Sequence, residues 1–375
     1  MIYLDSAATS LQKPPAVARA SARAIHTLAT PGRGGHRPAA AAARTAFSCR
    51  EAASELFQVP DPERVVFTFN ATHGLNIAIR TLVHPGSRVL ISGYEHNAVT
   101  RPLRAIPNVD LRVARSPVFD SKSMAAAFQR ELERGVDVVI CTHVSNVFGF
   151  ILPVEEISQM CQLRGVPFVL DASQSAGCLP VHFQELKPAF IAMPGHKGLY
   201  GPQGTGLLLC GVEVDPILYG GTGSASIRQD MPDFLPDRLE AGTHNMAGIA
   251  GLLEGIRFIQ QRGVLSIARR EQQLIRQMGK GMGAIPGVES FFAEDQPTQA
   301  GVLSFRFARQ DCEVVGEELG DRGIAVRAGL HCAPLAHETV GTLDTGTIRA
   351  SVSAFNTSQE IDQFLYTLRT ITKKW

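Results

Sequence analysis

Residues 189–206, AFIAMPGHKGLYGPQGTG, decide how the rest of the chain is read. The apolar run to Met193 has the length and character of a buried strand. Pro194 and Gly195 break it, and His196 and Lys197 stand at the break, ahead of a turn-rich segment with Gly198, Gly201, Pro202, Gly204 and Gly206. A cation at the end of a buried strand is costly unless it is paired or used. One use is nucleophilic: an amine whose pKa burial has lowered condenses with an aldehyde to give a Schiff base. The alternative is a surface lysine in a glycine-rich loop, and this stretch alone leaves both open.

Working outward, the same strand character recurs. RVVFTF (64–69), RVLISG (88–93), VDVVICTHV (136–144) and PFVLDAS (167–173) read as buried strands, with helical segments at 72–83, 122–134 and 154–164 between them. Buried strands alternating with helices are the mark of an α/β fold with a mainly parallel sheet covered on both faces. Upstream, Pro14 and Pro15 open a helix to about Leu28, a glycine-rich basic loop covers 31–37, and an alanine-rich helix runs over 38–57. From about Met246 to Met282 the pattern is helical. Strands follow near 287–293, 301–307, 324–327 and 346–354, with a helix near 311–322. A capping-box pattern, Thr357-Ser358-Gln359-Glu360, opens the last helix. The change of pattern divides the chain into a large domain, 15–255, and a smaller α/β domain, 256–375, which the N-terminal segment 1–14 joins.

Composition narrows the function class. With 45% hydrophobic and 19% charged residues the 375-residue chain is globular, and its net charge of +1 gives no footing for nucleic acid or an anionic membrane. No apolar run approaches the roughly 20 residues that span a bilayer. MIYLDSAATS lacks the basic and apolar regions of an export signal, so a cytoplasmic location is expected. Seven scattered cysteines without a CxxC pair suit free thiols better than a disulfide framework; Cys141, Cys161 and Cys210 lie in apolar stretches and read as core residues.

Ligands of an open parallel sheet bind beyond the carboxyl ends of its strands. After the first strand, Asn70-Ala71-Thr72-His73-Gly74 opens a helix, whose free amides, dipole and hydroxyl suit a phosphate. Glu95-His96-Asn97 follows the second strand, Ser145-Asn146 the third. The fourth carries Asp171, with Gln174 three residues on, and the fifth ends at His196-Lys197. Singly, Thr72 is a plain N-cap, His96 a surface histidine and Asp171 a turn cap. Together the five strand ends gather an anion cradle, an imidazole, a carboxamide, a carboxylate and an amine at one edge.

This constellation resembles the pyridoxal-phosphate enzymes of aminotransferase class V, within them the cysteine desulfurase and selenocysteine lyase group. The resemblance runs from YLDSAATS (3–10) to RASVSAFNTSQEID (349–362) and is carried by NATHGLN, EHNA, SNVFG, LDASQS, GHKGLYGPQGTG, EAGTHN and VRAGLHCAPL. It implies the fold-type I architecture of pyridoxal-phosphate-dependent transferases. It implies that Lys197 holds the cofactor as a Schiff base and takes the substrate Cα proton. Asp171 would pair with the pyridinium nitrogen; Gln174, with Asn146 nearby, would meet the ring oxygen, and His96 would stack on the ring and pass protons. Thr72, the amides around Ala71, and His196 would hold the phosphate. Thr243 would reach the phosphate of a neighbouring subunit, which implies a homodimer. Arg349 would clamp the substrate carboxylate, with Arg327 beside it. Three positions depart from the family pattern: Pro194 in place of a serine, Gly198 as an extra residue after the lysine, and His73 in place of an acid.

Pyridoxal phosphate serves many reactions, so the lysine does not name one. Cys332, in Ala328-Gly329-Leu330-His331-Cys332-Ala333-Pro334, is the discriminating residue, and His331 and Arg327 are placed to favour its thiolate. The resemblance implies conversion of L-cysteine to L-alanine with sulfur left on Cys332 as a persulfide, to be passed to an acceptor protein or small thiol; L-selenocysteine is the second substrate it allows. The alternatives are another class V reaction (β-lyase, selenocysteine lyase or aminotransferase), a non-catalytic relative that binds the cofactor, or a small residue in a turn at position 332. The spacing of His331, Cys332 and His337 matches no common zinc pattern, so no metal is expected.

Overall fold

The computed structural model describes residues 1–32, 34–294 and 298–373. The N-terminal strand β1 (Ile2–Tyr3) leads away to the smaller lobe. The central sheet is built from β2 (Val65–Thr68), β3 (Arg88–Ser92), β4 (Asp110–Ala114), β5 (Val138–Thr142), β6 (Phe168–Asp171), β7 (Phe190–Pro194) and β8 (Gly206–Cys210), in the spatial order β2-β8-β7-β6-β5-β3-β4. All pairs from β4 to β7 are parallel; β8 inserts antiparallel between β7 and β2. The expected mainly parallel α/β sheet is therefore present. Two of its strands were not read from the sequence: GLLLC, which looked like the tail of a turn-rich segment, and DLRVA at the exposed edge.

The inner parallel strands β5, β6 and β7 are buried on both faces, which is why they read as unbroken apolar runs. In β7, Ile191 and Met193 pack into the core on one side, Phe190 and Ala192 into that on the other; in β8, Leu207 and Leu209 oppose Leu208 and Cys210 in the same way. The Leu, Ile, Met and Phe side chains among them each contribute about 1.5–3 kcal/mol through burial. The helix Ala71–Leu82 lies close on the sheet because Gly74 faces it: a Cβ there would sit 3.3 Å from the Ala192 Cβ. The helices Pro15–Thr27 and Arg37–Phe57 pack on Met246–Arg262, and side chains of that last helix enter the large core as far as Ile259. Gly263, at φ +82°, breaks the helical run before Val264–Gly283, whose Leu274, Ile275 and Met278 enter a second core.

That second core lies under an antiparallel sheet. β9 (Val288–Phe291) pairs with β10 (Val302–Phe307), while β11 (Ile324–Ala325) takes β1 as a parallel partner; β12 (Arg327–Gly329) and β13 (Thr347–Ser351) complete the order β12-β13-β10-β9. The last helix, Ser358–Thr372, is capped by Thr357 and Glu360 as the sequence suggests: Glu360 accepts from the Thr357 amide at 2.7 Å, and Thr357 Oγ1 from the Glu360 amide at 3.2 Å. Leu4 enters this core, tying the N-terminal segment to the small lobe. Among the described residues no helix is long and apolar enough to cross a membrane.

Candidate active site

The carboxyl ends of β2, β3, β5, β6 and β7 open into one cleft of about 500 Å³, lined by Asn70, Ala71, Thr72, His96, Asn146, Asp171, Gln174, His196 and Lys197 among others. A parallel sheet necessarily brings these strand ends to one edge, so residues as far apart as 70 and 197 share a wall. Asn70 caps the helix Ala71–Leu82 by accepting the His73 amide at 2.9 Å, and the next free amides, of Ala71 and Thr72, head the helix at the cleft. Asp171, at the end of β6 and in the cleft lining, accepts the Ser173 amide at 2.9 Å through Oδ1. Gln174 donates to the Ala7 carbonyl at 2.9 Å, which brings the N-terminal segment against the site.

Electrostatics set the proton positions. Burial lowers the Lys197 pKa to about 8, against the opposing pull of Asp171. Burial also lowers His96, with Asp171 opposing. His96 Nδ1 accepts the Ala98 amide at 3.0 Å as the cap of the helix Asn97–Arg104, so the neutral ring carries its proton on Nε2. His196, driven to about 4 by burial and then by Lys197, is neutral, with Nδ1 3.0 Å from the Thr9 hydroxyl.

The residues expected at the substrate end are also brought in, with a partner that sequence reasoning missed. Arg349 is buried and donates to Asn146 O and to Asp5 Oδ1, both at 3.0 Å; among the described residues its Nε has no partner. Arg327 is exposed and bonds the other oxygen of Asp5 at 2.8 Å. The signal for Asp5 was present, an acid amid the small residues of YLDSAATS, but nothing local assigns it a partner.

Cys332 is the one exposed cysteine of the chain. Its loop is pinned at both flanking carbonyls: the Asn97 amide donates to Cys332 O and Asn146 Nδ2 to His331 O, each at 2.8 Å. His331 and Cys332 both adopt the left-handed region, at φ +51° and +56°, and these bonds offset that cost. Cys332 lies close enough to Lys197, Arg327 and Arg349 to add a small upward contribution to the pKa of each. The expected help from His331 is corrected. Its imidazole is buried against Thr347, and burial, then Arg349, drive its pKa to about 2, so it is neutral. Thr243 is not in the cleft of its own chain; it borders a separate depression with Phe67, His73 and His244.

The family model for aminotransferase class V matches residues 2–364. The chain belongs to that family. Members of the class V family use pyridoxal phosphate, and the donor set here fits it: an amine for the aldehyde, a carboxylate for the ring nitrogen, and helix amides with a hydroxyl for the phosphate. A probable cysteine desulfurase of Mycolicibacterium paratuberculosis is 31% identical over all of this chain, which spans 56% of that protein's length. A probable cysteine desulfurase of Pyrococcus abyssi is 30% identical over all of the chain and 94% of its own. The apo structure of the cysteine desulfurase from Thermococcus onnurineus NA1 superposes with a TM-score of 0.91 at 29% identity, covering 100% of this chain and 95% of the other.

Proposed function

We propose that this class V enzyme is a cysteine desulfurase that converts L-cysteine to L-alanine and retains the sulfur on Cys332 as a persulfide. The observation that carries this is the placement of Cys332, an exposed thiol on a loop pinned to the rim of the Lys197 cleft. When bound, pyridoxal phosphate supplies an electron sink beside the substrate Cα.

The chain's residues do the rest. Arg349 orients the substrate carboxylate, and Asp171 holds a proton at the ring nitrogen. The Lys197 Nζ, poised near neutrality, takes the Cα proton. The Cys332 thiolate attacks the substrate sulfur: an S–S bond forms, the C–S bond breaks, and its electron pair stays with the substrate carbon, which takes up a proton to become the alanine methyl. His96 Nε2 and Lys197 Nζ, both in the cleft lining, are the groups we assign to that proton.

We read the working unit as a homodimer in the cytoplasm. Thr243 stands outside its own cleft, and Tyr219, Ile227 and Phe234, close to it in sequence, are exposed, as an interface would need. The acceptor is a protein or a small thiol able to reach the rim where Cys332 sits. The test is to incubate the cofactor-loaded protein with L-cysteine, assaying alanine and sulfide, with mass spectrometry of Cys332. Wild type should yield alanine and a persulfide. Cys332→Ser should bind cofactor but transfer no sulfur, and Lys197→Ala should do neither step. Absence of alanine with wild type would remove the function.

A further inference from the structure

Glu95 precedes His96 and is fully buried, yet nothing in the reaction uses it. One oxygen, Oε1, accepts both the Ser92 hydroxyl at 2.5 Å and the Thr142 amide at 2.8 Å. The other, Oε2, is out of reach of water and has no hydrogen-bond partner among the described residues. A carboxylate in that position would be a buried charge without a cation, since the ionisable groups facing it are Asp171 on β6 and Cys141 on β5, an acid and a thiol. The arrangement suits a proton on Oε2 and a carbonyl-like Oε1. Burial pushes the Glu95 pKa up to about 8, with Asp171 adding to the rise.

Its two bonds join particular places. Ser92 ends β3, from which the chain turns to His96. Thr142 ends β5 and is the register partner of Asp171 on β6. A single neutral carboxyl therefore ties the turn that carries His96 to the strand that flanks Asp171. These are two of the groups that line the cleft, and they are meant to meet opposite features of one flat ring.

We propose that Glu95 is a positioning residue which, as a neutral carboxylic acid, holds His96 and Asp171 in register for the pyridine ring. This rests on the reading that the cleft takes pyridoxal phosphate. An amide side chain of the same length stays uncharged and keeps the accepting oxygen, with its NH2 in place of the Oε2 hydroxyl, whereas a shorter acid does not reach both Ser92 and Thr142.

The test uses 4′-deoxypyridoxine phosphate, which has the ring and phosphate but no aldehyde, so that binding is separated from Lys197 chemistry. Its affinity is measured for wild type, Glu95→Gln, Glu95→Asp and Glu95→Ala. Gln should stay within about twofold of wild type, while Asp and Ala should weaken binding by about tenfold or more, as expected when a buried amide and hydroxyl lose their acceptor. In cofactor-free protein, the infrared difference between wild type and Glu95→Gln at pH 7 should show a protonated carboxyl band that gives way to carboxylate with a midpoint near 8. Should the Ala variant not fold, the Gln and Asp variants still decide. Wild type that binds no probe overturns the reading of the cleft itself. Wild type that binds, with Gln as weak as Asp, or a carboxylate band that already dominates at pH 7, overturns only the role of Glu95.

Discussion

Arg327 and Arg349 stand directly opposite one another on the antiparallel strands β12 and β13, and a single carboxylate bonds both. Like charges in cross-strand register repel, so the pairing needs an anion between them. Asp5 supplies it from the other end of the chain, its own backbone bridged to Ser351. The guanidinium assigned to the substrate carboxylate is thus already oriented before substrate arrives, and its Nε is buried with no partner among the described residues.

Replacing Asp5 with Ala should therefore be severe. It leaves the buried Arg349 without a counter-charge, a change that typically costs about 3–5 kcal/mol. Chemical denaturation should show a loss of that order, with Arg349 no longer held at the cleft. Asp5→Asn, which keeps an acceptor, should lose less stability but raise the KM for L-cysteine. An unchanged midpoint in Asp5→Ala would mean that the pair contributes nothing.

Lys197 gives a pH prediction. Because burial holds its pKa at about 8 instead of 10.5, the neutral amine becomes available well below the range of an ordinary lysine. Cofactor-free protein mixed with pyridoxal phosphate should form a borohydride-fixable adduct at Lys197 at a rate that rises through a midpoint near 8. Located by mass spectrometry, the adduct should be absent from Lys197→Ala. A midpoint near 10.5, or an adduct elsewhere, would contradict the burial argument.

The parts of this structure that were legible in the sequence are those that periodicity and topology determine. Five buried strands announced themselves as apolar runs, and once they are parallel their carboxyl ends must meet, so the cleft from Thr72 to Lys197 followed. Other parts were not legible because no local pattern encodes them. Asp5 lies 322 positions from Arg327 and 344 from Arg349, and its pairing appears only when β1 docks beside β11. Strand β8 hid because its apolar run emerges from glycines and a proline that read as turn. His331 looked like a cation beside Cys332 because sequence adjacency does not report burial.

Gly198, the residue after Lys197, is glycine for a steric reason. A Cβ there would lie 2.4 Å from Ala176 O and 2.7 Å from the Cys178 Sγ, closer than real contacts allow. Gly198→Ala should push the segment after Lys197 off the loop that follows β6. The expected result is a loss of about 1–3 kcal/mol in stability and slower cofactor loading at Lys197. Normal loading at wild-type stability would show that the loop yields without consequence.

The loop that carries Thr243 is fastened by a buried cluster whose hold depends on pH. Glu240 takes Arg50 at 2.6 Å and His244 at 2.7 Å on one oxygen, and the Phe67 amide at 2.7 Å on the other. Burial would raise Glu240, but Arg50 and His244 more than offset it, and its pKa falls below 4.5. His244 is raised above 6.5 chiefly by its bond to Glu240, with burial opposing. A raised histidine contributes stability that is fully present below 6.5 and fades as pH climbs through the folded value. The Glu240 contribution is present above 4.5 and fades as pH falls through its own folded value. His244→Gln should therefore cost about 1–2 kcal/mol near pH 6 and little near pH 9, as read from denaturation midpoints across that range. Arg50→Ala should cost about 3–5 kcal/mol near pH 9, where no cation is left beside the buried Glu240 carboxylate, and less near pH 6, where His244 still pairs with it. An equal loss for His244→Gln at the two pH values would mean that the imidazole acts here through packing alone.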